Sequence, residues 1–331
     1  MLPGGQSGHA YEVRFKVAYP TSELTRQGSS NTSDISMAGD ADSVYPDWDI
    51  SSIGLDRDVA GASKNGSAAF EQVPIPEAMV YPNFEQFPDA KQLDRIKQAY
   101  RESFELARSA YHSLDGTTAY DRYLGGTDSR FNLYVFLGMF ESQVSNPNQL
   151  FKKMVIWYGA PPDAQDDCKG RPWMLGYLLQ KPDFPDEYVH LIVCTRTMQL
   201  PLISEMSCDH LSDHIDKSFE TIAATLLHEY VHWSALMKRA LETKNPPQRK
   251  IHDFEAPPGS DPENGYGAYN AMRIKEKHDP TDNADNYAWF ALEAFWTRKC
   301  VPKEPWGPPR KGEPSCDIEG KEDLAEDCHA G

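Results

Sequence analysis

The chain has 331 residues, 40% of them hydrophobic, including 14 Phe, 16 Tyr and 7 Trp. That is enough apolar material for a real core and excludes global disorder. The net charge of −17 repels phosphate backbones, which argues against a nucleic-acid partner and mildly favours basic peptides or cations; no apolar run reaches the roughly 18 residues of a membrane span.

The first residues, "MLPGGQSGHAYEVRF", lack the charged start and apolar stretch of a signal peptide. Alternating apolar residues Tyr11, Val13, Phe15 and Val17 predict a short strand. From Thr21 to about Gln72 the chain is rich in Ser, Gly, Asp and Asn and reads as loop or linker. Residues 73–90 carry Pro every few positions and predict an extended connection. Leu93, Ile96, Ala99, Tyr100, Phe104, Ala107 and Tyr111 recur at helical spacing and predict a helix over about 90–114.

The apolar run 132–140 fits either a helix or a buried strand, and 153–159, 174–180 and 188–194 predict strands. A long helix is predicted over about 215–242, ended by Asn245, Pro246 and Pro247. A loop of about thirty residues should then lead to a last helix over 283–298; loops that long usually carry function. Beyond Cys300 the chain is rich in Pro and charge.

Six cysteines stand at 168, 194, 208, 300, 316 and 328, with no CxxC pair. A thiolate metal site is therefore not expected; disulfides of a secreted protein are, with free buried thiols of a cytosolic protein as the alternative. Sequons at Asn31 and Asn65 agree with that compartment.

Within the long helix, "TLLHEYVHW" sets His228, Glu229 and His232 among apolar neighbours. Positions four apart on a helix share a side, so the two imidazoles can grip one ion, with Glu229 about 100° round and placed to meet a water. This is the H-E-x-x-H pattern of zinc peptidases. The alternative is a solvated polar face, which Leu226, Leu227, Tyr230, Val231 and Trp233 make hard to arrange. His210 and His214, near Cys208, form a second pair at the same spacing but lack the glutamate. A catalytic zinc needs a third protein ligand. The downstream candidates are His252, Asp253, Glu255, Asp261 and Glu263.

HEYVH, an Asp-containing loop, Tyr266-Gly267 and "NADNYAWFA" (283–291) together resemble the deuterolysin-like and lysine-specific metalloendopeptidases, the aspzincins. The resemblance is strongest over about 222–297. It implies an α+β, zincin-like domain, mainly helical, with a small mixed sheet beside the HExxH helix. It also implies Zn2+ as cofactor, an aspartate as third ligand and Tyr266 as donor to a developing oxyanion. In the family the aspartate stands three residues before the tyrosine, where this chain has Glu263. Asp253 is favoured because Ile251 can anchor its segment, and Asp261 is the alternative. Tyr266 also fits a simple turn residue beside glycine. Asp285 carries two readings, a substrate contact and a helix cap or support of the site. Ala288 stands where lysine-specific relatives have a second acid, which argues against strict lysine specificity.

The expected organisation is an N-terminal extension over 1–90, a zincin-like peptidase domain over 91–300 and a tail over 301–331. The expected function is a secreted zinc endopeptidase acting on proteins or peptides, with His228, His232 and Asp253 on zinc and Glu229 and Tyr266 catalytic. The alternatives are a secreted zinc-binding protein without activity and a secreted interaction protein with structural zinc.

Overall fold

A computed structural model of the chain describes residues 79–311 apart from 115, 145–148, 163, 165, 172–173, 181–187, 258–259, 263 and 303. The predicted N-terminal strand, the linker, both sequons, Cys316 and Cys328 lie outside the described residues.

The described elements, in order, are β1 (Asn83–Glu85), α1 (Ala90–Tyr111), α2 (Thr118–Tyr123), α3 (Ser129–Val144), β2 (Met154–Tyr158), α4 (Asp167–Gly170), β3 (Gly176–Leu179), β4 (Val189–Val193), α5 (Ile222–Val231), α6 (Lys238–Thr243), α7 (Gly267–Ile274) and α8 (Ala284–Cys300). The fold is α+β and mainly helical, as expected, with one four-stranded mixed sheet in the order β1-β2-β4-β3. β1, β2 and β4 run parallel, with Phe84 beside Ile156 and Ile156 beside Leu191. β3 is antiparallel to β4, with Leu178 beside Leu191, and forms an edge next to α5. No described helix is long and apolar enough to cross a membrane.

Helix α1 begins where predicted because Asp89 caps it, accepting a hydrogen bond from Gln92 N at 2.7 Å. The ambiguous run 132–140 is helical, inside α3. The segment read as an extended connection contributes β1, the short edge strand of the sheet. The start of the tail is docked: Gly307 N donates to Asp213 O at 2.8 Å, and the Trp306 ring packs edge-on against Phe219.

The predicted long helix is three pieces. A 3-10 turn covers Lys217–Phe219, α5 starts after Thr221, and α6 begins only at Lys238. Glu220 and Thr221 are extended, and the Thr221 hydroxyl accepts from Ala224 N at 3.2 Å, starting a fresh helix. Apolar periodicity did not register the breaks because all three pieces pack on one core. The thirty-residue loop likewise contains a helix, α7, directly after Tyr266.

That core is aromatic where it supports α5. Tyr230 packs on Phe151 with ring centroids 5.2 Å apart, and Phe151 packs on Trp233 at 5.8 Å, both edge-to-face. Tyr100 and Trp296 are also fully buried. Such pairs add about 0.5–1.5 kcal/mol each beyond area burial, and they lock the orientation of the helix. Disulfides Cys168–Cys194 and Cys208–Cys300 tie the segment before β3 to the end of β4, and a 3-10 turn to the end of α8.

Candidate active site

The last turn of α5 carries His228 and Glu229, and His232 is its C-terminal cap. The two Nε2 atoms lie 3.2 Å apart. Asp253 Oδ1 sits 3.1 Å from His228 Nε2 and 3.2 Å from His232 Nε2. Among the described residues, these three are the group of His, Cys, Asp and Glu side chains whose ligand atoms converge within 4.8 Å.

Each ring is oriented from behind. His228 Nδ1 lies 2.8 Å from Asp285 Oδ1, and His232 Nδ1 lies 2.9 Å from Ile251 O. An ionised carboxylate and a carbonyl only accept, so both Nδ1 atoms carry the hydrogen. That leaves the two Nε2 atoms to offer lone pairs toward each other and toward Asp253 Oδ1, itself buried without a hydrogen-bond partner. Three acceptors crowded this way repel unless positive charge enters between them. The proton affinities agree. Burial opposes a charge on His228, yet Asp253 and Asp285 raise its pKa well above the ordinary value. Burial likewise opposes the Asp253 charge, yet the two histidines hold its carboxyl well below the usual range. The three groups could hold a metal ion between them, and two imidazoles plus one carboxylate are a donor set that suits zinc.

Asp253 reaches the histidines because its segment is clamped to the start of α8. Ile251 is fully buried. His252 N donates to Asp282 O at 3.2 Å and Ala284 N to His252 O at 3.0 Å. Phe254 N then donates to Asn283 Oδ1 at 2.9 Å. Asp261 is elsewhere: it is 53% exposed and ion-pairs with Arg273 at 2.5 Å. Glu255 and His252 line the cleft without joining the cluster, and Glu263 lies outside the described residues. The second histidine pair forms no such site. His214 turns Nδ1 to Asp213 at 2.7 Å, and Cys208 is spent in a disulfide.

Glu229 is buried beside the cluster, and its Oε2 has no hydrogen-bond partner. Burial raises its carboxyl pKa, with the two histidines pulling the other way. It faces β3 at Gly176, where a Cβ would meet Ile192 O at 2.8 Å and Glu229 Oε1 at 3.8 Å. A lone glycine in a strand pattern signals such a close approach, and it is the one mark in the sequence of this wall.

Tyr266 stacks obliquely on His228, ring centroids 6.4 Å apart and planes 24° apart. Burial first, then the Asp253 carboxylate, raises its phenol, so it stays a protonated donor. Gly267 follows at φ +78°, which only glycine adopts freely, and its N–H donates to Asp285 Oδ2 at 2.6 Å. Asp285 is thus a support that holds both His228 and the turn bearing Tyr266. The capping role is not seen, because Asn283 occupies the cap position of α8. The Ile251 carbonyl behind His232 escaped sequence reading, since a backbone acceptor has no residue signature.

His228, Glu229, His232, Asp253, Tyr266 and Asp285 open on one cleft of about 780 Å³, walled by Met174–Leu178 on one side and by residues of α5, α8 and the 250–256 segment on the others.

No family model matches the chain, and no curated protein does. Six chains of solved structures match. One is a zinc peptidase from Grifola frondosa, with 13% identity, 62% of this chain and 96% of that chain covered, and a TM-score of 0.38, a distant likeness.

Proposed function

We propose that the chain is a secreted zinc-dependent endopeptidase. One observation carries this reading: three mutually facing acceptors, His228 Nε2, His232 Nε2 and Asp253 Oδ1, lie within 3.2 Å beside the unpartnered buried carboxylate of Glu229. His228, His232 and Asp253 would hold the metal. When bound, a zinc ion supplies Lewis acidity, acidifying water and polarising a carbonyl.

The chain's own residues do the rest. Glu229, dry and without a partner, takes a proton from the attacking water at Oε2 and passes it to the leaving amine. Its raised pKa suits that shuttle. The Tyr266 hydroxyl donates to the oxygen of the tetrahedral intermediate, an interaction worth about 2.7–4 kcal/mol for a well-placed donor. Asp285 and the Ile251 carbonyl keep both imidazoles in the tautomer that leaves Nε2 bare. β3 is the outer strand of the described sheet and lies on the cleft wall, so an extended substrate segment can lie along it. The two disulfides support secretion. The acidic surface favours basic protein substrates at long range.

The test is cleavage of casein and of a basic protein by zinc-loaded protein, with and without chelator, alongside zinc content by mass spectrometry. Glu229→Gln should keep about one zinc and lose cleavage. Asp253→Ala should lose zinc and Asp261→Ala should not. A protein that takes up zinc yet cleaves nothing refutes the peptidase reading and leaves a zinc-holding protein. Failure to take up zinc refutes the whole assignment.

A further inference from the structure

Asn264 stands two residues before Tyr266 and lines the same cleft. Its backbone forms an antiparallel bridge with Glu255, two residues after Asp253. The next residue, Gly265, donates from N to Phe254 O at 2.8 Å, and its carbonyl accepts from Asn283 Nδ2 at 3.1 Å. A Cβ on Gly265 would collide with that same Asn283 side chain, so the backbone is closed in on this side too. Asn264 is therefore carried on a backbone pinned both to the segment of Asp253 and to the start of α8.

The side chain is held as firmly. Its Oδ1 accepts from Tyr266 N at 3.1 Å and from Asn270 Nδ2 at 3.0 Å. A backbone N–H only donates, so the atom that meets Tyr266 N is the oxygen, and the amide is oriented without ambiguity. Nδ2 then carries two hydrogens, and no partner among the described residues takes either of them. Asn264 is half-buried. The cleft wall thus bears a neutral donor, fixed in direction and unspent, next to the residue that would meet the oxyanion.

The backbone of an extended peptide turns its carbonyls alternately to opposite sides. A segment lying along β3 turns some of them away from that strand, and a carbonyl shut off from water needs a donor. Asn264, paired with Glu255, belongs to the 250–256 wall and not to the β3 wall. Lys250 and Arg171 also line the cleft, but on long flexible stems that pay entropy to be ordered.

We infer that Asn264 is a substrate-binding residue whose Nδ2 donates to a backbone carbonyl of the substrate, in an amide that flanks the bond to be cut. This rests on the peptidase reading and adds how the peptide backbone is held.

The test uses the zinc-loaded full chain and a cleaved peptide in which one flanking amide at a time is replaced by a planar (E)-alkene unit, which has no carbonyl. Each analogue is measured with wild type and with Asn264→Asp, which keeps an oxygen for Tyr266 N and Asn270 Nδ2 but has no N–H to give. At one flanking position wild type should lose about tenfold or more in kcat/KM, the scale of one hydrogen bond left unmade. Asn264→Asp should start lower on the parent peptide and lose less than twofold at that position, with zinc content unchanged. At the other positions the two proteins should lose alike, so any general effect of the new charge cancels in the comparison. Calorimetry gives a readout without turnover: on Glu229→Gln the analogue altered at that position should bind about tenfold more weakly than the parent peptide, and on Glu229→Gln with Asn264→Asp the two should bind alike. If Asn264→Asp fails to fold, Asn264→Ser takes its place, since a serine hydroxyl can still accept from Tyr266 N but is too short to reach the substrate. Equal losses in both proteins at every position overturn the role of Asn264 and leave the peptidase standing. So does a wild type that tolerates every analogue within twofold. Cleavage of no peptide, with zinc bound, removes the peptidase reading and this role with it.

Discussion

Asp285→Asn isolates the group that orients His228 without touching any atom that would meet the metal. The wild-type carboxylate serves three donors: His228 Nδ1 at 2.8 Å, Gly267 N at 2.6 Å and Trp289 Nε1 at 3.2 Å. An asparagine has one accepting oxygen and one amide that only donates. If the oxygen keeps Gly267 and Trp289, the amide faces the Nδ1–H of His228, donor against donor. The ring then relieves the clash by moving its hydrogen to Nε2, the atom that must be bare. Loss of such an orienting carboxylate costs about 10–100-fold in metal affinity, or about 1.4–2.7 kcal/mol. Competition against a chromophoric chelator measures it, with circular dichroism to show that the fold is kept. A zinc affinity within twofold of wild type would refute the account of how His228 is held.

Thr221→Ala removes the cap of the helix that bears the motif and should cost about 1 kcal/mol in urea denaturation, as helix caps do. Replacing Cys208 and Cys300 by serine opens a crosslink spanning 92 residues. The chain-entropy relation gives about 4.6 kcal/mol for that loop, read as a lower denaturation midpoint under non-reducing conditions. Glu293 is buried against Arg122, and burial pushes its carboxyl up to about 7 despite that guanidinium. A folded pKa raised above the ordinary 4.5 contributes stability that is present below pH 4.5 and is lost as pH rises to 7. Glu293→Gln cannot ionise, so its stability relative to wild type should climb by up to about 3 kcal/mol across that window and then level off. A pH-independent difference in denaturation midpoints would contradict this.

The parts of the fold legible in the sequence were those whose cause is local. α1 and α8 carry long stripes of apolar residues, and the cap at Asp89 sits where the pattern begins. The strands at 154–158 and 189–193 are short apolar runs between turn residues. What stayed hidden depends on tertiary context. Apolar spacing runs unbroken through Thr221 and His232, because every piece from 215 to 242 packs inward, so the periodicity cannot register the two breaks. α7 was concealed by the glycines and prolines before it, and its start depends on Gly267 at positive φ. In the site, the i,i+4 histidines announce themselves at any distance from the rest of the chain. The contact of Asp253 with them, 21 and 25 residues away, follows from the clamp by Asp282, Asn283 and Ala284, which no spacing rule contains.

That clamp explains why the first turn of α8 matters as much as the motif helix. Asn283 accepts from Phe254 N, the residue after Asp253, and donates to Gly265 O, just before Tyr266. Asp285, two residues on, holds His228 and Gly267. One turn of one helix therefore fixes His228, Asp253 and Tyr266, three groups carried by three separate segments. Asp253 and Tyr266 lie outside the regular elements and have no such support of their own, since loop residues lose about 1–2 kcal/mol of backbone entropy each on ordering. α8 supplies the rigidity because its other face is anchored by fully buried Tyr287, Phe290 and Trp296, and its far end by the bond from Cys300 to Cys208. The aromatic residues between 287 and 296 are thus core by packing and, through that packing, supports of the cluster. They keep the helix in register so that its polar first turn meets the cluster.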